Sequence, residues 1–125
     1  MANIPKTLRG LRGATTAAGN TSEAILQATE ELLRALQTAN GFAPEDVESA
    51  IFTSSPDLTA EYPARAARRL GWTDVPLLGA MEVPVPGGLP RCIRVLLHFY
   101  TAKPARDLKH TYLREAATLR PDRPR

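Results

Sequence analysis

The stretch from Arg91 to Thr101, RCIRVLLHFYT, decides the fold more than any other part of the sequence. Apolar side chains occupy every second position on one side of it: Ile93, Val95, Leu97 and Phe99. This period of two predicts a β-strand with one buried face. The opposite face carries Cys92, Arg94, Leu96, His98 and Tyr100, so Arg94 shares a largely apolar surface.

Three further segments have the composition and turn signals of strands, namely Arg9–Thr16, Val47–Ser54 and Val75–Glu82. Between the first two, residues 20–40 favour a long helix, because Ile25, Leu26, Leu32, Leu33 and Leu36 fall on one helical face. Asn20 and Glu23 have the spacing of a capping box at its start, and Gly41 follows its end. A short helix is expected from Pro63 to Leu70.

The segment from Thr111 to Leu119 is locally ambiguous, because its residues suit a helix but also alternate as in a strand. The remaining elements predict an α+β domain, a mixed β-sheet packed with one long helix that covers one sheet face. The second face then stays open and partly apolar. Such a face favours symmetric self-association, so we expect an oligomer.

Length and composition set the class of protein. The 125 residues suit one domain, 1–125, for which residues 1–8 and 120–125 are expected to be flexible ends. A hydrophobic content of 43% and a charged content of 23% are those of an ordinary folded chain. No apolar stretch suits a membrane helix or a signal peptide, so we expect a cytoplasmic protein that does not bind membranes.

The chain has thirteen arginines, three lysines and a net charge of +3. Arginine grips carboxylate and phosphate with a planar fork, so the bias is compatible with anionic ligands, although solvated surface arginines are the ordinary alternative. A nucleic-acid binder is disfavoured by the scarcity of lysine and of aromatics for stacking.

The motifs of common catalytic sites are missing. The sequence has no phosphate-binding glycine loop, no GxSxG elbow and no convincing zinc ligand set, so we expect neither a metal nor a cofactor. Cys92 is expected to be a small buried filler and not a nucleophile. The remaining candidates for chemistry are Arg12, Glu82, Arg94, Tyr112 and the pair Arg65 and Arg68.

Five motifs, in order along nearly the whole chain, resemble the AroH-type family of chorismate mutases. They are RGLRGATT at 9–16, SSPDLTAEYPARAAR at 54–68, VPLLGAMEV at 75–83, GGLPRCIRVL at 87–96 and HTYL with LRPD within 110–122. The resemblance implies a homotrimer with a pseudo-α/β-barrel arrangement, active sites at subunit interfaces, and chorismate and prephenate as substrate and product. It also implies that residues 111–119 form a strand.

The resemblance implies a set of site residues. Catalytic roles fall to Arg12, Glu82, Arg94 and Tyr112, with Leu77, Leu78 and Gly79 in the same pocket. The neighbouring subunit would supply Tyr62, Ala64, Arg65 and Arg68, and the rim would be closed by Leu119 and Arg120. Gly79 and Arg65 depart from the family, which often has cysteine and lysine at these positions.

The implied chemistry suits these residue types. Chorismate rearranges in one step, with no nucleophile or proton transfer, while negative charge develops on its ether oxygen. A fixed cation aimed at that oxygen binds the transition state better than the ground state, and Arg94 is assigned this role. Arg12 and Tyr112 would bind a carboxylate, and Glu82 would accept a hydrogen bond from the ring hydroxyl. The alternative is a trimeric imine deaminase or small-ligand-binding protein of the RidA type.

Overall fold

The structure is a computed structural model, and it describes residues 5–119. The strands are β1 (Thr7–Thr16), β2 (Val47–Ser54), β3 (Leu77–Met81), β4 (Cys92–Thr101) and β5 (Thr111–Tyr112). The helices are α1 (Ser22–Asn40) and α2 (Ala64–Arg69), with 3-10 turns at Pro44–Asp46, Ala105–Asp107 and Arg114–Leu119. Within residues 5–119, no helix has the length and apolar composition that crossing a membrane would require.

The five strands form one mixed sheet in the order β3-β2-β4-β1-β5. The strand predicted from RCIRVLLHFYT is its centre, because β4 pairs antiparallel with both β1 and β2. The two edges are different: β3 runs parallel to β2, and β5 runs parallel to β1. This arrangement confirms the predicted mixed sheet with one long helix.

Helix α1 covers one face of the sheet, as the apolar spacing predicted. Its five predicted core residues are buried, as are those of β4: Ile25, Leu26, Leu32, Leu33, Leu36, Ile93, Val95, Leu97 and Phe99. Gly13 of β1 lies directly beneath the helix, where an added Cβ would come within 2.9 Å of Leu36 Cδ1. A residue without a side chain at this position therefore lets the helix approach the sheet closely.

Within residues 5–119, no helix lies over the centre of the opposite face of the sheet. Large apolar side chains remain exposed there, among them Leu8, Leu78, Leu96 and Tyr100. At the β1 and β5 edge, the 3-10 turn Arg114–Leu119 folds over, and Ala116 packs with Ala14 and Tyr112 in a small buried cluster. The open face expected from the sequence is thus present, with one end partly covered.

Three local predictions were wrong. Helix α1 is capped by Thr21, whose side chain accepts from Ala24 N–H, because the Asn20 side chain instead bonds the backbone of Thr59 and Ala60. Residues 111–119 do not continue as a strand, since Arg114 has φ 52° and turns the chain into the 3-10 helix. Residues 7 and 8 belong to β1 and not to a flexible end. The predicted ends at 1–4 and 120–125 lie outside the described residues.

Candidate active site

A cleft of about 530 Å³ opens on the uncovered sheet face. Four of the residues assigned catalytic roles line it, and the rim candidate Leu119 does so as well: Arg12, Glu82, Arg94, Tyr112 and Leu119. Its other walls are Gly13, Ala14, Ile51, Thr53, Val95 and Leu96. Residues separated by up to 107 positions in the chain, from Arg12 to Leu119, are therefore brought to one place.

The strand register explains why these residues meet. Arg94 of β4 lies opposite Thr53 of β2 on one side and Ala14 of β1 on the other. Ala14 in turn lies opposite Tyr112 of β5. Cross-strand partners point to the same face of a sheet, so all four form a row that crosses the open face. Ala14 and Thr53, on either side of Arg94, have small side chains and so leave room for a ligand on this face of the sheet.

Arg94 and Glu82 form an ion pair, with Arg94 Nε 3.0 Å from Glu82 Oε1. The side chains are 48% and 27% exposed, so both charges can still be reached from the cleft. Glu82 follows β3 and is fixed by its own N–H, which donates to Ser54 O at 2.9 Å. A guanidinium has five N–H donors, so the bond from Nε leaves further donors on the terminal nitrogens.

The pairing of β1 with β5 positions Tyr112. Arg12 N–H donates to His110 Nδ1 at 3.0 Å, which holds the start of β5 against β1. Two residues later Tyr112 is buried against Ala14. The Arg12 side chain lies on the same face as Arg94, two residues before Ala14 in β1. Two cations and one phenol therefore converge on the cleft together with one carboxylate.

A second cleft, of about 520 Å³, adjoins the first and shares Glu82 and Arg94 with it. Asp57, Leu89 and Cys92 are among its other walls. Cys92 is buried, as predicted, and burial raises the pKa of its thiol. A neutral buried thiol is a poor nucleophile, which agrees with the role of a small filler.

Other predicted site residues lie elsewhere in the chain. Tyr62 and Gly79 line a separate cleft of about 520 Å³ at the β3 edge, so Gly79 does not join Arg94 in one chain as expected. Leu77 and Leu78 precede Gly79 in β3 and do not line the Arg94 cleft either. The strand register explains this, because Leu77 and Gly79 lie opposite Ala50 and Phe52, whose side chains are buried in the core. Leu78 shares the open face with Ile51, but β2 separates β3 from β4.

Helix α2 carries the remaining predicted residues: Ala64, Arg65 and Arg68. Arg65 pairs with Glu61 at 2.8 Å, and Glu61 also accepts from Ser22. The hydrogen bond from Ser22, followed by those from Tyr62 N–H and Arg65, lowers the pKa of Glu61. Arg68 donates to the backbone oxygens of Trp72 and Thr73. None of the three lines the Arg94 cleft of its own chain, and Arg120 lies outside the described residues.

The sequence did not single out Thr53, which the structure places beside Arg94. Its Oγ1 is buried and makes no hydrogen bond within residues 5–119. A buried hydroxyl in a cleft is normally satisfied by a partner, which a ligand or water can supply. The alternation of Ser49, Ile51 and Thr53 along β2 was the available signal, because the open face of β2 had to adjoin that of β4.

The arrangement is suited to binding an anion and stabilising charge. Arg12 and Arg94 supply cations, and Tyr112 and Thr53 supply hydroxyl groups. The Cys92 thiol in the adjoining cleft has a raised pKa and is a poor nucleophile. The cleft therefore favours a reaction that proceeds by electrostatic stabilisation and not by a covalent intermediate.

Known proteins resemble this chain over most of its length. The family described as chorismate mutase type I matches residues 8–123, a range that includes every residue of the Arg94 cleft. Chorismate mutase AroH of Thermus thermophilus is 53% identical over 116 residues, covering 92% of this chain and 95% of that protein. The AroH protein of Bacillus subtilis (strain 168) is 44% identical over 116 residues, covering 92% and 91%. A solved chorismate mutase from Clostridium thermocellum has a TM-score of 0.87 and 44% identity, covering 88% of this chain and 98% of that one.

Proposed function

The chain belongs to the chorismate mutase type I family, and we propose that it rearranges chorismate to prephenate in the cleft around Arg94. It is accordingly an intramolecular transferase, an isomerase of aromatic amino acid biosynthesis. One observation carries the assignment to this cleft: Arg12, Glu82, Arg94 and Tyr112 share it although they come from different strands and loops. The biosynthetic role also supports a cytoplasmic location, which a fluorescent fusion would test.

Arg94 stabilises the transition state. Chorismate breaks a C–O bond as a C–C bond forms, and partial negative charge develops on the ether oxygen. The guanidinium is fixed by Glu82 at 3.0 Å and by the central strand, so it needs no reorganisation when this charge appears. Since the charge grows only along the reaction, Arg94 binds the transition state more tightly than the substrate.

The other cleft residues select and hold the reacting conformer. Arg12 and Tyr112 bind one carboxylate of chorismate, because a cation and a phenolic donor both suit a carboxylate. Glu82 accepts a hydrogen bond from the ring hydroxyl while its other oxygen stays with Arg94. Holding the compact conformer lowers the entropic part of the barrier. Neither a proton transfer nor a cofactor is required.

A homotrimer would complete the site. The open face leaves Leu8, Leu78 and Tyr100 exposed by 44%, 62% and 44% of their surfaces, which favours burial against another copy. In this arrangement Tyr62, Ala64, Arg65 and Arg68 of a neighbouring subunit approach the Arg94 cleft and reach the second carboxylate. Gly79 shares a cleft with Tyr62, so it would contribute from that neighbour as well.

Analytical ultracentrifugation tests the trimer. Tyr100→Asp places a charge on the open face and should convert trimers to smaller species, with loss of turnover. Thr38→Asp, on the exposed side of α1, is the matched control and should remain trimeric. A wild-type chain that sediments as a monomer and still turns over chorismate would contradict the interfacial site.

The activity itself is tested by mixing the purified protein with chorismate and following the loss of diene absorbance. Conversion to prephenate well above the uncatalysed rate is expected. The RidA-type alternative predicts no effect on chorismate and faster hydrolysis of a small imine. A chorismate rate equal to that of buffer would refute the proposed function.

A further inference from the structure

The turn after β2 makes an unusual set of contacts with the start of β4. Ser55 N–H donates to Cys92 O at 2.9 Å, and Cys92 N–H donates to Ser55 Oγ at 2.9 Å. The Ser55 hydroxyl then donates to Asp57 Oδ1 at 2.5 Å. One backbone bond and one side-chain bond therefore continue the pairing of β2 with β4 one step beyond the last pair of the ladder, Ser54 and Ile93.

Asp57 extends this contact to Arg91. The Arg91 N–H donates to the Asp57 carboxylate, at 2.9 Å to Oδ2 and 3.2 Å to Oδ1. Arg91 has φ 51°, a left-handed conformation that residues with a side chain rarely adopt and that the surroundings must hold in place. On its other side, Arg91 O accepts from Ala17 N–H at 2.8 Å and Arg91 Nε donates to Ala17 O at 3.2 Å.

The same turn contacts Glu82 and the residues just before Arg94. Glu82 is bound through its N–H to Ser54 O. Arg94 lies three residues after Arg91, on the strand whose first residues are bound by Ser55 and Asp57. Residues Ser54–Asp57 therefore contact both Glu82 and the segment that leads into Arg94. Asp57 itself lines the cleft that adjoins the Arg94 cleft.

We propose that Asp57 is a positioning residue for the reaction, which holds Arg91 in its strained conformation and thereby sets the position of the Arg94 guanidinium. This inference rests on the proposed function for its kinetic consequence. Its structural part does not, because the bond from Arg91 N–H to Asp57 exists in the free protein. Asp57 acts through the backbone of β4 and need not touch chorismate.

Kinetics and hydrogen exchange on the full chain test the proposal together. Asp57→Ala should lower kcat by about tenfold, because a small displacement of a catalytic group is costly, while KM stays within about twofold. In the same variant the Arg91 and Cys92 amides should exchange faster, while those of Leu97 and Phe99 keep their protection. Asp107→Ala, in the exposed connection between β4 and β5, is the matched control and should change neither quantity.

Asp57→Asn separates the acceptor from the charge, and it also serves if the alanine variant does not fold. Its Oδ1 can still accept from Arg91 N–H, so kcat should stay within about threefold of wild type and the Arg91 amide should stay protected. A large loss of kcat with that amide protected would overturn the proposal. So would unchanged kcat in Asp57→Ala despite fast exchange at Arg91, or faster exchange along all of β4. Wild-type protein without activity would instead refute the proposed function.

Discussion

Replacing Arg94 by alanine should separate catalysis from stability more sharply than any other change in the cleft. In the single chain, the Arg94 side chain is 48% exposed and its ion pair with Glu82 spans 3.0 Å. Partly exposed ion pairs contribute about 0.2–1 kcal/mol to stability, so the melting temperature should fall by only a few degrees. Loss of a preorganised donor to a developing oxyanion costs about 3 kcal/mol, which is roughly 150-fold in rate.

The assay is the initial rate of chorismate loss for wild type, Arg94→Ala, Glu82→Gln and the double variant. Arg106→Ala, in the exposed connection between β4 and β5, is the control for loss of a positive charge and should keep full activity. We expect kcat and kcat/KM of Arg94→Ala to fall together by at least a hundredfold. The reasoning fails if Arg94→Ala keeps kcat within tenfold of wild type, or if it loses no more than Glu82→Gln.

Two further changes test the packing and the electrostatics around the sheet. Gly13→Ala should lower the free energy of unfolding, measured in urea, by about 1–3 kcal/mol, because the new Cβ would lie 2.9 Å from Leu36 Cδ1. The control Gly19→Ala places a Cβ where nothing lies within 4 Å and should change the free energy of unfolding little. Equal effects of the two substitutions would contradict the close approach of α1 to the sheet. The hydrogen bond from the Ser55 hydroxyl, then that from Arg91 N–H, lowers the pKa of Asp57 below its ordinary 3.8. The stabilisation from the Asp57 charge is therefore complete above pH 3.8 and is lost as the pH falls through the lower folded-state pKa. The difference in free energy of unfolding between wild type and Asp57→Asn should accordingly shrink in acid. A difference that grows in acid would contradict a lowered pKa of Asp57.

The sequence predicted the elements whose pattern is local. The period of two in Arg91–Thr101 and the helical spacing after Thr21 depend on each segment alone, and both were confirmed. The start of α1 was misplaced because the Asn20 side chain bonds Thr59, 39 residues away. The capping-box rule considers only residues near the start of the helix, so it cannot predict a distant competing partner. The end of β5 was also missed, at the left-handed Arg114, whose side chain bonds Glu31 and Thr16, both distant in the sequence.

For the site, too, the local pattern could be predicted from the sequence and the contacts between strands could not. Alternation in β4 placed Arg94 on the open face, and the family resemblance named the residues that join it. Register across strands could not be derived from the sequence, so Thr53 was missed, and Gly79 was expected beside Arg94 although in the single chain it lines the cleft with Tyr62. The hydrogen bond from Arg91 N–H to Asp57 joins residues 34 positions apart and has no sequence signature of its own.

The central position of β4 has a consequence for how the chain folds during synthesis. Thr7 pairs with Thr101, and β1 finds its remaining neighbour only when β5 is present. At about 5–20 residues per second, a ribosome needs roughly 5–20 s to extend from one of these strands to the other. During that interval the apolar residues of β1 and α1 have no sheet to pack on. Nascent chains should therefore stay unfolded and susceptible to chaperones or proteases until β4 emerges, and then fold as one unit.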